Sequence, residues 1–381
     1  MTTPHHVGTP AALDVVGGPV ATEGRGPATA SPGRRRVKAA FGMAPELAPF
    51  VFGPDERGRL SALLEIDVDD PTGVHGDDAE VSDVELLITG WGAPILDEPA
   101  LNRFPRLQAV VHWGGGIDFL NPVAASRGIQ VSSGRWANAI PVAEYTVAMI
   151  TLAAKGAFWA SELYRREQRF IDREGEFPHT GLAGTNIGII GASTIGTLVI
   201  KKLRDYDVRV LVYDPFLAAQ QAEHLGAELV SDLHELARRS RILSIHAPDI
   251  PQTRSMVSRE VLASLPHQAT LINTARGALV DQDALVDELS TGRLNAVLDV
   301  TEPDVLPSGH PLYTLPNVFL TPHLAGSMGN ELRRLGASAV DEVERFVAGK
   351  PFAHAIPSHA FLPLAAPASE EPPRAPTGAN P

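Results

Sequence analysis

The chain has 381 residues, 44% of them apolar and 20% charged, which is typical of a soluble globular protein. Its 32 basic and 45 acidic residues give a formal net charge of −13, so nucleic acid is not an expected partner. The absence of cysteine excludes disulfides and thiolate catalysis, and the 13 histidines show no spacing typical of metal ligands. No segment has the pattern of a membrane span or signal peptide, so we expect a cytoplasmic protein without metal or membrane partners.

Both ends of the chain, residues 1–36 and 357–381, are rich in proline and small residues and are predicted to be disordered. Between them, apolar runs alternate with helical patterns, which predicts parallel βαβ units and doubly wound sheets. The predicted strands form two blocks: residues 37–41, 63–66, 86–89, 109–112 and 130–132, then 186–190, 209–213, 242–246, 270–272, 296–298 and 318–320.

A long helical pattern at residues 141–170 joins the two blocks, with Pro141 in its predicted first turn. A second helical pattern, at residues 330–348, follows the last strand and has no sheet left to extend. We expect this helix to return to the first block. The first predicted domain is then discontinuous.

A glycine-containing turn separates the predicted strand at residues 186–190 from the next helix. Residues 191–196 read G-A-S-T-I-G, which matches the dinucleotide fingerprint except that serine replaces the second glycine. A serine fits there if its hydroxyl turns toward the phosphate or the solvent. Alone, the turn is also compatible with a tight connection that binds no ligand. Its candidate cofactor residues are Gly191, Ser193, Thr194, Ile195 and Gly196.

Asp214 supports the dinucleotide interpretation. It ends the next predicted strand, 23 residues after Gly191, close to the spacing of a carboxylate that binds the adenosine ribose. Such a carboxylate repels a 2′-phosphate, and residues 215–220 contain no arginine, so NAD is favoured over NADP. An aspartate that only forms a turn before Pro215 explains neither the spacing nor the context.

Polar side chains follow the last three predicted strands: Arg276, a carboxylate cluster within residues 299–304, and His323. Because ligands collect outside the carboxyl ends of parallel strands, we expect these groups to share one crevice. Reduction of a 2-oxo acid needs a carboxylate anchor, a group that polarises the carbonyl, and a proton donor. Arginine suits the first two roles and histidine the third.

Four segments carry a resemblance to the D-isomer-specific 2-hydroxyacid dehydrogenase family. Residues 273–281 read N-T-A-R-G-A-L-V-D and match the family's N-x-x-R-G-x-x-V-D. Residues 321–326, T-P-H-L-A-G, match its P-H-x-A/G segment, and residues 213–215 match its Y-D-P. Residues 142–145 match the start of its interdomain helix. The chain resembles the family over about residues 37–356.

The resemblance implies a Rossmann NAD domain, residues 141–327, inserted into a flavodoxin-like substrate-binding domain of residues 37–140 and 328–356. It also implies NAD as cofactor, a small 2-oxo or 2-hydroxy acid as substrate, and a homodimer. By resemblance, Arg276 is the substrate-binding catalytic residue, His323 the acid/base, and Asp299 a hydrogen-bond partner of the nicotinamide carboxamide. The cofactor site is also assigned Thr274, Ala275, Arg276, His323 and Gly326.

The carboxylate paired with the histidine is where this sequence departs from the family. The family has a glutamate five residues after the position of Asp299, and this chain has Asp304 there. Glu302 is out of register, so the role is carried to Asp304. Aspartate is one methylene shorter, about 1.5 Å of reach, so its pairing with His323 is expected to be longer.

A second glycine-rich segment follows a strand of the first block. Residues 112–118 read H-W-G-G-G-I-D and resemble the family's substrate loop. Successive glycines let backbone N–H groups face a substrate carboxylate, although a plain flexible turn has the same composition. The candidate substrate residues are Gly114, Gly115 and Gly116, with Arg276.

Several large side chains also follow strand-like runs. Trp91, Trp113 and Trp136 either line an apolar substrate pocket or pack in the ordinary way. His112 and His246 are interpreted as satisfied structural histidines.

Two function classes follow from the resemblance: an NAD-dependent dehydrogenase, or an NAD-sensing interaction protein like the family's transcriptional corepressors. The intact arginine and histidine favour the enzyme. Glyoxylate or hydroxypyruvate is the favoured substrate, because no basic cluster marks a phosphate pocket for phosphoglycerate. Asn138 aligns with a substrate-contacting asparagine of formate dehydrogenases. That branch has glutamine at the Asp304 position, so formate is disfavoured.

Overall fold

The computed structural model of the chain describes residues 35–71, 73–74, 80–117 and 119–357. The predicted tails lie outside these ranges, except for residues 35, 36 and 357. In the described part of the chain, the strands form two sheets whose ladders are all parallel. The predicted doubly wound α/β architecture is confirmed.

The first sheet has five strands in the flavodoxin-like order β2-β1-β3-β4-β5. Its strands are β1 (Val37–Gly42), β2 (Leu64–Glu65), β3 (Leu86–Thr89), β4 (Ala109–His112) and β5 (Gln130–Ser133). The helices between them are α1 (Ala48–Val51), α2 (Pro54–Leu63), α3 (Glu98–Asn102) and α4 (Val123–Ser126).

Three helices separate the sheets in the chain: α5 (Arg135–Ala154), α6 (Ala157–Glu167) and α7 (Arg173–Glu176). The prediction of a single pattern over residues 141–170, starting at Pro141, was wrong at both ends. The helix begins six residues earlier, after Gly134, because Ala137 and Ala139 are buried against the rest of the fold. It ends before Gly156, whose φ of +63° lies in the left-handed region that glycine favours.

The second sheet has seven strands in the order β12-β11-β10-β9-β6-β7-β8. They are β6 (Thr185–Ile190), β7 (Val208–Tyr213), β8 (Glu228–Leu229), β9 (Ile242–Ile245), β10 (Thr270–Asn273), β11 (Asn295–Leu298) and β12 (Val318–Leu320). The intervening helices are α8 (Thr194–Leu203), α9 (Ala219–Leu225), α10 (Leu233–Arg239), α11 (Arg259–Ser264) and α12 (Gln282–Ser290). The strand order reverses between β6 and β9, which is the switch point where such sheets bind ligands.

Helices cover both faces of the second sheet, so its strands are apolar on both sides. Ile187 and Ile189 of β6 share a core cluster with Ile200 of α8. Ile190, on the opposite face, packs in a cluster with Leu236 of α10. This two-sided burial explains why the strands appear in the sequence as short continuous apolar runs.

Helix α5 lies in the core and packs against α8. By length and hydropathy it is the one helix of the described residues that could cross a membrane. Within the fold, 61% of its apolar window is buried, as is typical of a core helix.

The last helix, α13 (Leu332–Val347), returns to the first sheet and packs against α1 and α2. Gly336 is required at this contact, because a Cβ there would collide with the carbonyl oxygen of Val51. Arg59 of α2 forms salt bridges with Asp341 at 2.6 Å and Glu344 at 2.8 Å. The second sheet is therefore inserted in the chain between the last strand of the first sheet and helix α13, which packs beside the first sheet.

Candidate active site

The turn between β6 and α8 has the backbone geometry of a dinucleotide loop. Gly191 has a φ of +93°, and a Cβ there would lie 2.8 Å from the amide nitrogen of Ala247. A Cβ on Gly196 would collide with the carbonyl oxygen of Gly191. Both glycines are thus required by close backbone approach, and the turn leads into the N-terminus of a ten-residue helix, where an anionic pyrophosphate is favoured. The turn fits a dinucleotide.

Ser193, at the second glycine position of the fingerprint, has a structural role that the sequence did not predict. Its hydroxyl caps α8 and accepts a hydrogen bond from the Gly196 amide at 3.3 Å. Serine is a favoured N-cap because it satisfies an amide that has no partner within the helix. The substitution of the second fingerprint glycine therefore stabilises the start of the helix. Thr194 and Ile195 form the first turn behind it.

Asp214 follows β7 and faces the same turn. Its Oδ2 accepts a hydrogen bond from the Ala192 amide at 2.8 Å, and its Oδ1 accepts one from the Phe216 amide at 2.8 Å. The carboxylate thus lies beside the glycine turn, where the spacing predicted it. Each oxygen keeps acceptor capacity for a ribose hydroxyl.

Arg276 lies on the loop after β10, and Asn273 braces that loop. The Asn273 side chain accepts a hydrogen bond from the Ala275 amide at 3.0 Å and donates one to the Arg276 carbonyl at 2.8 Å. The Thr274 hydroxyl shares a buried 2.9 Å hydrogen bond with Thr146 of α5. The Arg276 side chain is exposed, and its one hydrogen bond among the described residues runs to the Ala275 carbonyl at 2.7 Å. Most of its N–H groups are available to a ligand.

Asp299, at the end of β11, is buried, with 1% of its surface exposed. Its Oδ1 accepts from the Thr321 hydroxyl at 2.6 Å and from the Leu324 amide at 2.8 Å. Its Oδ2 accepts from the Ala325 amide at 2.9 Å. Its carbonyl accepts from the His323 amide at 2.9 Å. Asp299 therefore organises the loop that carries His323, a role the sequence did not predict.

His323 has a φ of +53°, a strained value for a residue other than glycine. The hydrogen bonds from the flanking residues to Asp299 hold this conformation. The imidazole is exposed, and it makes no hydrogen bond or ion pair within the described residues. His323 is thus fixed at its backbone and free at its side chain.

The structure does not bring Asp304 and His323 together. Asp304 is exposed, and no hydrogen bond or salt bridge joins it to the imidazole in the described part of the chain. Its carbonyl accepts from the Thr301 hydroxyl at 3.2 Å. The Glu302 amide and carbonyl bind the Gln282 side chain, so Glu302 lies apart from the histidine loop.

The arginine loop and the carboxylate loop touch directly. A Cβ on Gly277 would collide with the backbone of Thr301, so glycine is required beside Arg276. The loops after β10, β11 and β12, three neighbouring strands, therefore form one continuous surface. Arg276 and His323 lie at its two ends.

The glycine loop of the first sheet lies close to the histidine loop, and Asn138 of α5 stands between them. The Ser133 hydroxyl donates to the carbonyls of Gly114 (3.1 Å) and Gly115 (2.9 Å), which fixes the loop. A Cβ on Gly115 would lie 3.5 Å from the Asn138 amide, and one on Gly326 would lie 3.3 Å from it. Asn138 Oδ1 also accepts from the Ser327 amide at 2.9 Å. Gly116 is exposed next to this junction.

The comparison with known proteins gives the same assignment as the geometry. Residues 147–325 match the family model described as D-isomer specific 2-hydroxyacid dehydrogenase, NAD binding domain. A glyoxylate reductase of Thermofilum pendens is 33% identical over 248 residues, which are 64% of this chain and 73% of that protein. The chain belongs to the D-isomer specific 2-hydroxyacid dehydrogenase family. NAD, the predicted cofactor, is confirmed by the domain match.

Other members of the 2-hydroxyacid dehydrogenase family extend the comparison. D-3-phosphoglycerate dehydrogenase of Methanocaldococcus jannaschii is 30% identical over 305 residues, 79% of this chain. That match covers 57% of the relative, so the chain spans little more than half its length. Among solved structures, an NADPH-dependent glyoxylate/hydroxypyruvate reductase of Sinorhizobium meliloti is 25% identical with a TM-score of 0.66, covering 86% of this chain and 99% of that one.

In this family member, the aromatic and histidine side chains beside the glycine loop have distinct environments. Trp113 is fully buried and donates to the Met43 sulfur at 3.1 Å, so it packs structurally. Trp91 is 37% exposed and lies edge-on to Trp113 at 5.1 Å, so it borders the loop. The His112 ring shares a 3.0 Å hydrogen bond with Thr89, and burial lowers its pKa to about 4. Trp136 is half-buried.

His246 lies beneath the dinucleotide turn and corrects one expectation. Its Nε2 bonds to the Ser244 hydroxyl at 2.9 Å, but its buried Nδ1 has no hydrogen-bond partner among the described residues. Burial lowers its pKa to about 3, so the ring is neutral. The interpretation as a fully satisfied histidine was therefore wrong for one of its two nitrogens.

The sequence did not identify Tyr145 and Thr321 as parts of the site. The Tyr145 hydroxyl lies 3.0 Å from the Thr321 hydroxyl, although the residues are 176 positions apart. Both fall inside the family-matching segments, which was the available signal. Their contact depends on how α5 lies across the second sheet, which no local pattern encodes.

Proposed function

We propose that the chain is an NAD-dependent dehydrogenase that interconverts a small 2-hydroxy acid and its 2-oxo acid. The observation that carries this proposal is the single surface formed by the loops after β10, β11 and β12, with Arg276 and His323 on it. Its position at the carboxyl ends of the strands, next to the dinucleotide turn, suits hydride transfer to a bound substrate. Bound NAD(H) would supply or accept the hydride.

Arg276 anchors the substrate carboxylate and polarises the 2-oxo group. Its planar fork matches a carboxylate, and its free N–H groups face no protein acceptor other than the Ala275 carbonyl among the described residues. His323 donates the proton that the developing alkoxide requires, and takes it back in the reverse direction. The backbone N–H groups of the loop at Gly114, Gly115 and Gly116 provide further donors for the carboxylate.

Asp304 acts as a positioning residue for His323 in the substrate complex. Both side chains are exposed and free of described partners, so neither must break a bond to meet the other. The carboxylate would favour the protonated imidazole. Asp299 is proposed to contact the nicotinamide through the remaining acceptor capacity of Oδ2.

Glyoxylate or hydroxypyruvate is the proposed substrate. The Thermofilum pendens and Sinorhizobium meliloti relatives are named for these reactions, which supports the assignment. We propose NAD rather than NADP, because the Asp214 carboxylate lies at the ribose end of the turn. No basic side chain occurs in residues 215–220 to bind a 2′-phosphate.

We further propose that residues 37–140 and 328–356 form the substrate-binding domain and residues 141–327 the NAD domain. A cytoplasmic homodimer without nucleic-acid or membrane partners completes the proposal. Phe170, which is 83% exposed after the end of α6, is a candidate contact of this dimer. Light scattering of the purified chain tests the oligomeric state.

A screen of NADH oxidation over glyoxylate, hydroxypyruvate, pyruvate, phenylpyruvate and branched 2-oxo acids tests the function. We expect turnover with glyoxylate and hydroxypyruvate, and a lower rate with NADPH than with NADH. NAD binding without turnover of any 2-oxo acid would overturn the assignment as an enzyme. It would support an NAD-sensing interaction protein instead.

A further inference from the structure

A cavity lies at the opposite end of the second sheet from the candidate active site. It is bordered by the starts of three strands, because Ile242, Thr270 and Asn295 begin β9, β10 and β11. Its internal volume is about 80 Å³, which suits only a ligand of a few heavy atoms. The end of α5 and residues 176–180 close its sides. We call it the strand-start cavity.

Arg241 places a positive charge on the wall of this cavity. The side chain is half-buried, and its Nη1 donates to the His267 carbonyl at 2.8 Å. No carboxylate lies within salt-bridge distance of it in the described part of the chain. Burial lowers its pKa, and no neighbouring acid offsets the shift. By contrast, the part-buried Arg59 has two carboxylate partners. A half-buried guanidinium without a carboxylate partner has N–H groups that can bind an anion.

Thr270 provides a second polar group on the wall of the cavity. It is 4% exposed and lines the cavity, yet its hydroxyl makes no hydrogen bond to any described residue. The cavity also contains the side chains of Gln268 and Asn295. The hydroxyl is open to the cavity, so it can bond to water or to an acceptor there.

We propose that the strand-start cavity binds a small monocarboxylate, with its carboxylate on the Arg241 guanidinium and the Thr270 hydroxyl. The fork of arginine matches a carboxylate geometrically. Trp159 and Phe177 border the cavity and pack against the apolar part of the ligand. One carboxylate is favoured over a phosphate dianion, because the exposed Glu176 at the rim repels a second negative charge.

Helix α5 and strand β10 each contact both the strand-start cavity and the candidate active site. Helix α5 runs from Asn138 and Tyr145, beside the histidine loop, to Ala153 and Ala154, which line the cavity. Strand β10 likewise starts at Thr270 and ends at the loop of Arg276. The same rigid elements therefore contact both sites.

The test is the melting temperature of the full chain in propionate, at constant ionic strength with chloride as the reference. We expect a saturable rise, because a ligand that binds the folded state stabilises it, and no comparable rise with phosphate. The rise must persist in Arg276→Ala, which removes the proposed substrate anchor. The Arg276→Ala measurement thus distinguishes binding in the strand-start cavity from binding at the proposed substrate site.

Arg241→Gln should weaken the propionate affinity roughly tenfold or more, because two charge-assisted hydrogen bonds are lost. Thr270→Val keeps the side-chain volume and should weaken it by a smaller factor. Arg238→Gln, an exposed arginine three residues away, is the matched charge control and should leave the affinity unchanged. No saturable rise, an equal rise with phosphate, or an unchanged affinity in both Arg241→Gln and Thr270→Val would overturn the proposal.

Discussion

The hydroxyl of Thr321 donates a 2.6 Å hydrogen bond to the buried carboxylate of Asp299, on the neighbouring strand. Since the hydroxyl proton is used there, the Thr321 oxygen accepts from Tyr145 at 3.0 Å. Helix α5, strand β11 and the histidine loop are thus joined by one hydrogen-bonded chain. The backbone of His323 is held at the end of this chain by the Asp299 carbonyl.

Tyr145→Phe removes one link of that chain without changing the packing. We expect kcat to fall about fivefold, since a neutral hydrogen bond contributes about 1 kcal/mol, with KM for the 2-oxo acid less affected. Steady-state NADH oxidation measures both. Tyr164→Phe, at an exposed tyrosine of α6, is the control and should have no effect. Equal rates for Tyr145→Phe and the wild type would mean that the chain does not position His323.

Asp304→Glu lengthens the side chain by one methylene. We expect the variant to stay active and the alkaline limb of its pH–rate profile for reduction to move to higher pH. The reason is that a nearer carboxylate favours the protonated imidazole that reduction requires. Asp304→Asn should move the limb the other way. Identical profiles for all three proteins would show that Asp304 is not coupled to His323.

Asp214 is predicted to set the cofactor preference. Asp214→Asn removes the negative charge but keeps an oxygen that can accept from the Ala192 amide. We expect the ratio of kcat/KM for NADPH to that for NADH to rise roughly tenfold, because the repulsion of the 2′-phosphate is removed. Measuring both cofactors with one 2-oxo acid gives this ratio. A ratio unchanged from the wild type would contradict the assigned role.

His112 is predicted to make the fold acid-sensitive. Burial lowers its pKa to about 4 in the folded state, so between pH 6.5 and 4 the unfolded chain binds more protons. The pKa shift of His112 affects the free energy of unfolding by at most about 3 kcal/mol. This stability is fully present above pH 6.5 and is lost as the pH falls toward 4. His246 titrates in the same direction, with a pKa of about 3.

Urea unfolding across this pH range measures the effect. Between pH 6.5 and 4, His112→Gln should lose less unfolding free energy than the wild type, because one of the two buried histidines is gone. A part of the loss should remain, because His246 is present in both proteins. His224→Gln, at an exposed histidine, is the control and should lose as much as the wild type. The same loss in all three proteins would exclude His112 as a source.

The features predicted well from sequence are those that a short segment determines. The strands of the second sheet are buried on both faces and so appear as apolar runs, and Arg276 and His323 fall in compact motifs. The features missed depend on contacts between distant segments. Asp299 gained its organising role from backbone amides after β12, and the start of α5 is set by burial of Ala137, not by Pro141.

The central claim is that Arg276 and His323 carry out the chemistry, and one experiment tests it most directly. NADH oxidation by His323→Ala is compared with the wild type on the best 2-oxo acid of the screen, with circular dichroism to verify the fold. His224→Ala, at an exposed histidine of α9, is the matched control. We predict a loss of about 10²-fold or more in kcat for His323→Ala alone. A wild-type rate in that folded variant would contradict the claim.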